Sequence, residues 1–500
     1  MSRWQDQEIV LSKEDQGFIS LCAVILICIV IGTSLEAWLN WKKAESEDTS
    51  LTQKFFLNFG LCNNTKRFLD TTPPKGDHIS CLDGIRFISM TWVVLGHVLM
   101  QVLGELPTNS SLTLYRKFES FWFQPVDNAL PSVDTFFMLS GLLVCYLMLK
   151  ELDKTKGRIN WPMMYLHRYL RLTGIYAFIL FFMVSLWEHL GIGPGHSNRF
   201  EVDNCRKVAW QNMLYINNFF PDVYYPNDPD DPEYPCMGET WYLANDMQFF
   251  LVAPIIVFLI WKIKRVGLVV SGLLALASAL VPAGLTYKYG WGAQSGLQGV
   301  VPDSEQEKDY FNWNYIKPWC RFSPYIIGIL LGYLLHITKK QPFKMNRLVA
   351  IWGWLVAFGT GFAVIYGLNF PKLGEQPLSE AANIIYGGFH RLAWAIAVGW
   401  VVFACARGYG GWINTFLSWN AFKPLSRISF IIYLVHIRME TLVIGMYPSV
   451  ISINVTLAVI FYLAVLGYSA LLSAALFVLV ELPWLNTEKF LFSFLLRKKS

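Results

Sequence analysis

Arg86 and His97 stand eleven residues apart in an otherwise apolar stretch. At 100° per residue that spacing puts both on one face of a helix, about 16 Å apart. A guanidinium can clamp a phosphate through two parallel hydrogen bonds, and a buried neutral imidazole can take the proton of a hydroxyl. The pair therefore suits a reaction in which an anionic donor enters at a basic mouth and reacts at depth. His97 also has a purely structural account, as a histidine hydrogen-bonded between helices. Asp83, near the start of the same segment, reads as its N-cap.

Other ionisable residues fall in similar settings. Asp134, in Pro131-Ser132-Val133-Asp134-Thr135-Phe136-Phe137-Met138-Leu139-Ser140-Gly141, lies about one turn inside its segment, where it can orient a histidine or cap and pack. Ser140 and Gly141 allow two helices to approach closely. Arg168 and Arg171, in Tyr165-Leu166-His167-Arg168-Tyr169-Leu170-Arg171, share one face at i, i+3. Read as a loop outside the span, that stretch suits the phosphates of a nucleotide-bearing donor and equally suits positive-inside anchoring. Trp241, Asn245 and Gln248, with Asp246 beside them, form a polar stripe that must face the bundle or a cavity. Later segments add His390 with Arg391, then Ser429, Tyr433, His436 and Glu440, with a salt bridge from Arg438 to Glu440 or a neighbour. The histidines are scattered, and no HxxxH, ExxH or CxxC pair offers metal-ligand spacing, so no metal is expected.

The elements that position these residues must lie in a membrane. The 500 residues are 54% hydrophobic and only 15% charged, with a mean hydropathy of +0.37. Soluble domains carry roughly 25% charged residues, so a water-soluble enzyme, a disordered chain and a nucleic-acid binder are excluded. Apolar runs near 18–39, 84–104, 130–149, 172–192, 240–260, 266–284, 322–337, 348–368, 381–404, 427–445 and 455–480 predict an all-α polytopic membrane protein of about eleven transmembrane helices. The first run has acidic Asp6, Glu8, Glu14 and Asp15 ahead of it rather than a basic region, so it reads as a span and not a signal peptide. Lys and Arg concentrate in 41–83, 150–171, 261–265, 339–347, 407–427 and the tail, which makes that side cytosolic. With an odd number of spans, the N-terminus is lumenal or extracellular and the C-terminus cytosolic. Cys205 and Cys236 then share an oxidising outer loop, acidic and Pro-rich over Tyr225–Pro232, and read as a disulfide against two free thiols. Asn109-Ser110-Ser111 is an outer glycosylation acceptor, while Asn63-Asn64-Thr65 is silent on the cytosolic side. No internal repeat is visible.

Taken in order, these strings resemble the acyltransferase 3 family of multi-pass membrane O-acyltransferases. The family's Gly-Leu-Arg with a His eleven residues after the Arg is similar to Gly84-Ile85-Arg86 and His97; its Val-Asp-x-Phe-Phe-x-x-Ser-Gly resembles Val133 through Gly141. Its Arg-x-x-Arg resembles Arg168 and Arg171, its Trp-Ser-Leu-x-x-Glu-x-Gln-Phe-Tyr resembles Trp241 through Phe250, and its Ser-Tyr-x-x-Tyr-Leu-x-His resembles Ser429 through His436. The match covers about 80–485. The wording of Cys236 through Phe249, together with an extra leading span, is closest in style to the animal branch called nose resistant to fluoxetine. That branch usually carries a cysteine-containing extracellular domain before its first span; here about 17 residues precede it, so any function of that domain is absent or lives elsewhere. Asp246 stands where bacterial members have Glu, Tyr242 replaces Ser and Phe250 replaces Tyr.

The resemblance implies three parts: 1–79 as a short lumenal N-terminus, extra helix and cytosolic linker; 80–485 as a ten-helix acyltransferase domain; and 486–500 as a cytosolic tail. It implies acyl transfer from cytosolic acyl-CoA to a hydroxyl acceptor (glycan, lipid or small molecule) reached from the lumenal side or the bilayer. His97 is then the general base, with Asp134 or His436 as its partner. Arg86, Arg168 and Arg171 hold the phosphates of coenzyme A, and Trp241, Asn245, Asp246, Gln248 and Tyr433 line the substrate pocket. The membrane is the endoplasmic reticulum or the plasma membrane, and membrane lipids are the other partners. A carrier for lipids or xenobiotics and a non-catalytic membrane regulator are the competing readings.

Overall fold

A computed structural model describes residues 10–42, 50–72, 78–104, 121–190, 198–220, 235–291, 310–340, 344–368, 378–445 and 454–497. The glycosylation acceptor at Asn109, the Pro-rich run 225–232, Asp6, Glu8 and the final lysines lie outside the described residues. Among the described residues the chain is helical and contains no strand.

Among the described residues, nine helices, or runs of helices, are long and apolar enough to cross a membrane. The helices in those runs are α1 (Lys13–Lys42), α4 (Cys81–Gly104), α5 (Pro131–Thr155), α8 (Trp241–Lys262), α9 (Lys264–Tyr289), α10 (Pro318–Lys340), α11 (Arg347–Tyr366), α12 (Glu380–Ala406) and α15 (Val455–Leu476), which leads into α16 (Leu482–Arg497). Short helices α2 (Leu51–Leu57) and α3 (Leu61–Leu69) occupy the linker, α7 (Asn198–Met213) the disulfide-bearing loop, and α13 (Gly411–Leu417) the link before α14 (Phe422–Gly445).

The two expected spans missing from the nine are α14 and α6 (Trp161–Val184), each 24 residues. Both are about 36 Å long, enough to span, but their mean hydropathy is lowered by His167, Arg168 and Arg171 in the first half of α6 and by Lys423, Arg427, Arg438 and Glu440 along α14. The helix α6 also corrects a boundary. Asn160 caps Met163 N and Pro162 fills the first turn, so the helix starts eleven residues before the apolar run at 172. Arg168 and Arg171 are inside it, not in a preceding loop. Residues 486–497, expected as a tail, continue helical from α15 through a π turn at Phe477–Glu481.

Close packing in the centre rests on glycine. A Cβ on Gly141 of α5 would collide with the Tyr325 carbonyl of α10, and one on Gly328 of α10 with the Met138 carbonyl of α5. Without a hydrophobic drive between helices in lipid, such backbone approach is what holds a pair together. The opposite extreme is α11, whose most apolar stretch is only 17% buried and whose outward face is Leu348, Ile351, Trp352, Leu355 and Phe358.

Chain direction divides the bundle into two ends. One end gathers the starts of α4 and α14 and the finishes of α5, α10 and α12, where Asp153 binds His336 at 2.7 Å and Lys340 at 2.5 Å. The other holds the disulfide Cys205–Cys236, as expected. There Asp15 of α1 meets His189 at 3.1 Å, and Arg206 meets Glu188 at 3.2 Å.

Candidate active site

The helix α4 delivers His97 and α14 delivers His436 to one point. Nδ1 of His97 lies 2.9 Å from Nε2 of His436, and the ring centroids are 4.9 Å apart. The other nitrogen of His436 reaches the carbonyl of Tyr433 at 2.7 Å and that of Ile432 at 3.1 Å. A carbonyl only accepts, so Nδ1 of His436 carries a hydrogen. In the neutral pair Nε2 of His436 then accepts from Nδ1 of His97, which leaves Nε2 of His97 with its lone pair.

Asp134 is not part of this arrangement. Both its oxygens meet Nη1 of Arg321, at 3.0 and 3.1 Å, and both side chains are 1% exposed. The histidine partner of His97 is His436 alone of the two expected. Asp83 is likewise not a cap: it sits in the third position of α4, accepting from Ser426 Oγ at 2.9 Å and pairing with His78 at 2.8 Å.

From the dyad a line of rings and charges leads toward the other elements. The Tyr433 ring lies 6.1 Å from His436 and 5.6 Å from Tyr242, and its hydroxyl donates to the Glu239 carbonyl. Tyr242 stands within electrostatic reach of Asp246, Arg168, Tyr325 and Arg86. Arg168 of α6 forms an ion pair with Asp246 of α8, donates to Ser140 Oγ at 3.3 Å and lies over the Phe250 ring at 4.5 Å. It is therefore already committed, whereas Arg171, one turn on, is exposed. Arg86 is partly buried, within reach of Asp83, Arg171 and Tyr242. Among the described residues neither Arg86 nor Arg171 makes a hydrogen bond or an ion pair. Lys489 and Glu481 stand within electrostatic reach of Arg171.

The polar stripe of α8 faces the bundle, and its hydrogen bonds are filled from within. Asn245 Nδ2 donates to the Ile316 carbonyl at 2.9 Å, and Asn218 Nδ2 donates to Asn245 Oδ1 at 2.7 Å. Gln248 Nε2 donates to the Tyr215 carbonyl at 2.9 Å and to Asn218 Oδ1 at 2.8 Å. Trp241 packs edge-on to Tyr315, under the Arg321 guanidinium. Asn245 and Gln248 thus anchor Tyr215 and Asn218 of the disulfide loop on α8, while Trp241 packs against the segment leading into α10. Burial pushes the Tyr215 phenol up, keeping it neutral where it hydrogen-bonds Thr173 at 3.0 Å.

Three contributors escaped the sequence reading. Arg321 and Glu481 each lie one residue beyond a hydropathy boundary, and Glu201 sits in the outer loop. Arg438 binds Glu201, and also Glu239 at 3.2 Å, so its partners are neighbours and not Glu440. Applying the rule that intramembrane charges mark function a turn past each apolar run would have found the first two.

Residues 79–478 match the family described as an acyltransferase domain. The chain is 35% identical, over 83% of its length, to the Caenorhabditis elegans protein "Nose resistant to fluoxetine protein 6", and covers 52% of that protein. It is 26% identical over 58% of its length to the C. elegans "Regulator of hypoxia-inducible factor 1", covering 59% of it. It is also 24% identical over 80% of its length to a Staphylococcus aureus protein named "Putative O-acetyltransferase", covering 57%. The chain thus spans between half and three fifths of these relatives. No solved structure matches it. The matched region contains α4 through α15, with both histidines and the arginines around Arg86, and this multi-pass membrane chain belongs to the acyltransferase 3 family.

Proposed function

We propose that the protein is an O-acyltransferase that moves an acyl group from acyl-CoA to a hydroxyl acceptor, with His97 as general base. The observation that carries this reading is the His97–His436 hydrogen bond at 2.9 Å, because it leaves Nε2 of His97 free to accept a proton. A base that takes the acceptor proton lets the hydroxyl oxygen attack the thioester carbonyl. The carbon–sulfur bond then breaks, and the proton passes from His97 to the departing thiolate, giving free coenzyme A and the ester. As the imidazolium forms, His436 is the acceptor for its Nδ1 hydrogen.

Arg86 and Arg171 are the phosphate-binding pair in this reading, since neither is consumed by an internal partner. Arg168 is a positioning residue that ties α6 to α8 through Asp246. The end of the bundle with Arg86 faces the cytosol, where acyl-CoA resides, and the disulfide end faces the lumen or the outside, where Cys205–Cys236 is stable. The acceptor then approaches from the disulfide end or the bilayer.

The test is acyl-CoA binding and hydrolysis by the purified protein in nanodiscs, for wild type, His97→Ala and Arg86→Ala plus Arg171→Ala. Binding lost in the double variant, with turnover lost but binding kept in His97→Ala, supports the enzyme. A folded protein that binds no acyl-CoA defeats it and directs attention to carriage of lipids or drugs.

A further inference from the structure

One buried knot outside the proposed reaction path carries more positive charge than its partners cancel. Asp134, Arg321 and Arg391 meet where α5, α10 and α12 pack together, and the two arginines are among the largest fully buried side chains in the protein. Asp134 gives both oxygens to Nη1 of Arg321. Arg321 also donates from Nε to the Tyr315 carbonyl at 2.8 Å. Among the described residues Arg391 has no carboxylate partner of its own: its Nη1 donates to Asn314 Oδ1 at 3.1 Å and to the Cys320 carbonyl at 3.2 Å. The electrostatic neighbours of Arg391 are Arg321, Tyr310, Asp134 and Cys320. His390, beside it, hydrogen-bonds the Tyr386 carbonyl at 2.6 Å and stacks on that ring. Asp134 is therefore the one carboxylate among these neighbours, set against two guanidiniums.

The same knot has three empty donors. Among the described residues, Arg321 Nη2, Arg391 Nε and Asn314 Nδ2 are buried and without a hydrogen-bond partner. A buried water satisfies a donor but leaves the charge, and an uncompensated cation in a low-dielectric interior is strongly disfavoured. Arginine is also the side chain suited to holding anions through directed N–H groups.

We propose that this knot is an anion site, in which one anion held by Arg391, Arg321 and Asn314 completes the charge balance of α5, α10 and α12. The recognition chemistry is that of a small halide, carboxylate or phosphate group. A free ion and the anionic headgroup of a lipid present the same chemistry and differ in what is attached. The inference stands apart from acyl transfer and requires none of its residues.

The test uses the full chain in nanodiscs at constant ionic strength, starting with bulky gluconate as the anion and zwitterionic lipid. Chloride, acetate and inorganic phosphate are titrated separately, a parallel set contains phosphatidylglycerol, and thermal unfolding is the readout. Asn314→Asp is nearly isosteric and puts a carboxylate against Arg391, supplying the missing charge from within. Wild type is expected to gain a saturable upward shift of its midpoint with one of the three ions, or with anionic lipid. Asn314→Asp is expected to start at the raised midpoint and to lose the response, and Arg391→Gln is expected to lose the response as well. A wild type that responds to none of these, or an Asn314→Asp variant that responds as wild type does, overturns the proposal.

Discussion

Arg171 follows Arg168 by one helical turn on the same face of α6, yet the two guanidiniums have opposite circumstances. Arg168 is locked to Asp246 and stacked on Phe250, while Arg171 is exposed and without an ion-pair partner among the described residues. A shared i, i+3 motif therefore divides into a bolt and a free charge.

The first prediction separates them. Arg171→Ala should leave stability within about 0.5 kcal/mol of wild type and weaken acyl-CoA binding roughly 10-fold or more, the loss of one charge-assisted phosphate contact. Arg168→Ala strands the buried Asp246 carboxylate and should cost about 3 kcal/mol. Replacing both members by Arg168→Met plus Asp246→Leu should recover most of that loss. Thermal unfolding alongside binding reads both; equal destabilisation by the two single substitutions would contradict the division.

The histidines should differ in the same way. His97→Gln removes the base and should lower turnover by about 10²–10⁴-fold with acyl-CoA affinity retained. His436→Gln keeps an acceptor for the His97 hydrogen but loses imidazole geometry, and should lower turnover by a smaller factor, roughly 10-fold. Single-turnover consumption of acyl-CoA measures both. A larger loss from His436→Gln than from His97→Gln would exchange their roles.

Much of this site is legible in the sequence, because ionisable groups stand out against apolar runs. The helical face shared by Arg86 and His97, the pairing of Cys205 with Cys236 and the close approach at Gly141 all follow from local spacing and compartment. Which charges meet does not follow. Asp134 has Arg321 as its partner, 187 positions away in sequence, and a hydropathy window ends its span at 322 because the arginine itself lowers the average. The same effect cut Glu481 from a span ending at 480 and hid Arg168 in an apparent loop. Windows that find apolar helices discard the charges at their edges, and in this chain those edges hold the ion pairs.

Gly141 makes a packing prediction. Gly141→Val would drive a branched side chain into the Tyr325 carbonyl, with no flexible atom available to move aside. Separating α5 from α10 should cost about 3 kcal/mol or more, the upper range for overpacking, and should reduce turnover in proportion to the folded fraction. Gly272, which has open space around its missing Cβ, serves as the control, and Gly272→Val should be nearly neutral in the same unfolding assay.

The outer disulfide should affect the reaction at a distance. Cys205 and Cys236 close a loop of sequence separation 31, and chain entropy assigns such a closure about 3–4 kcal/mol. Glu201, one turn before Cys205 on α7, binds Arg438 two residues after His436 on α14, and the loop leads into Glu239, which binds the same arginine and whose carbonyl accepts from Tyr433. Loosening the loop therefore releases the restraints on both sides of the histidine dyad. Cys205→Ser plus Cys236→Ser should lower turnover about 10-fold while leaving acyl-CoA affinity within about 2-fold, since Arg86 and Arg171 belong to the other end of the bundle. Arg438→Gln should reproduce the turnover loss with the disulfide intact. If the double serine variant instead lost acyl-CoA binding at unchanged turnover, the loop would act on the donor site and the link through Arg438 would be wrong.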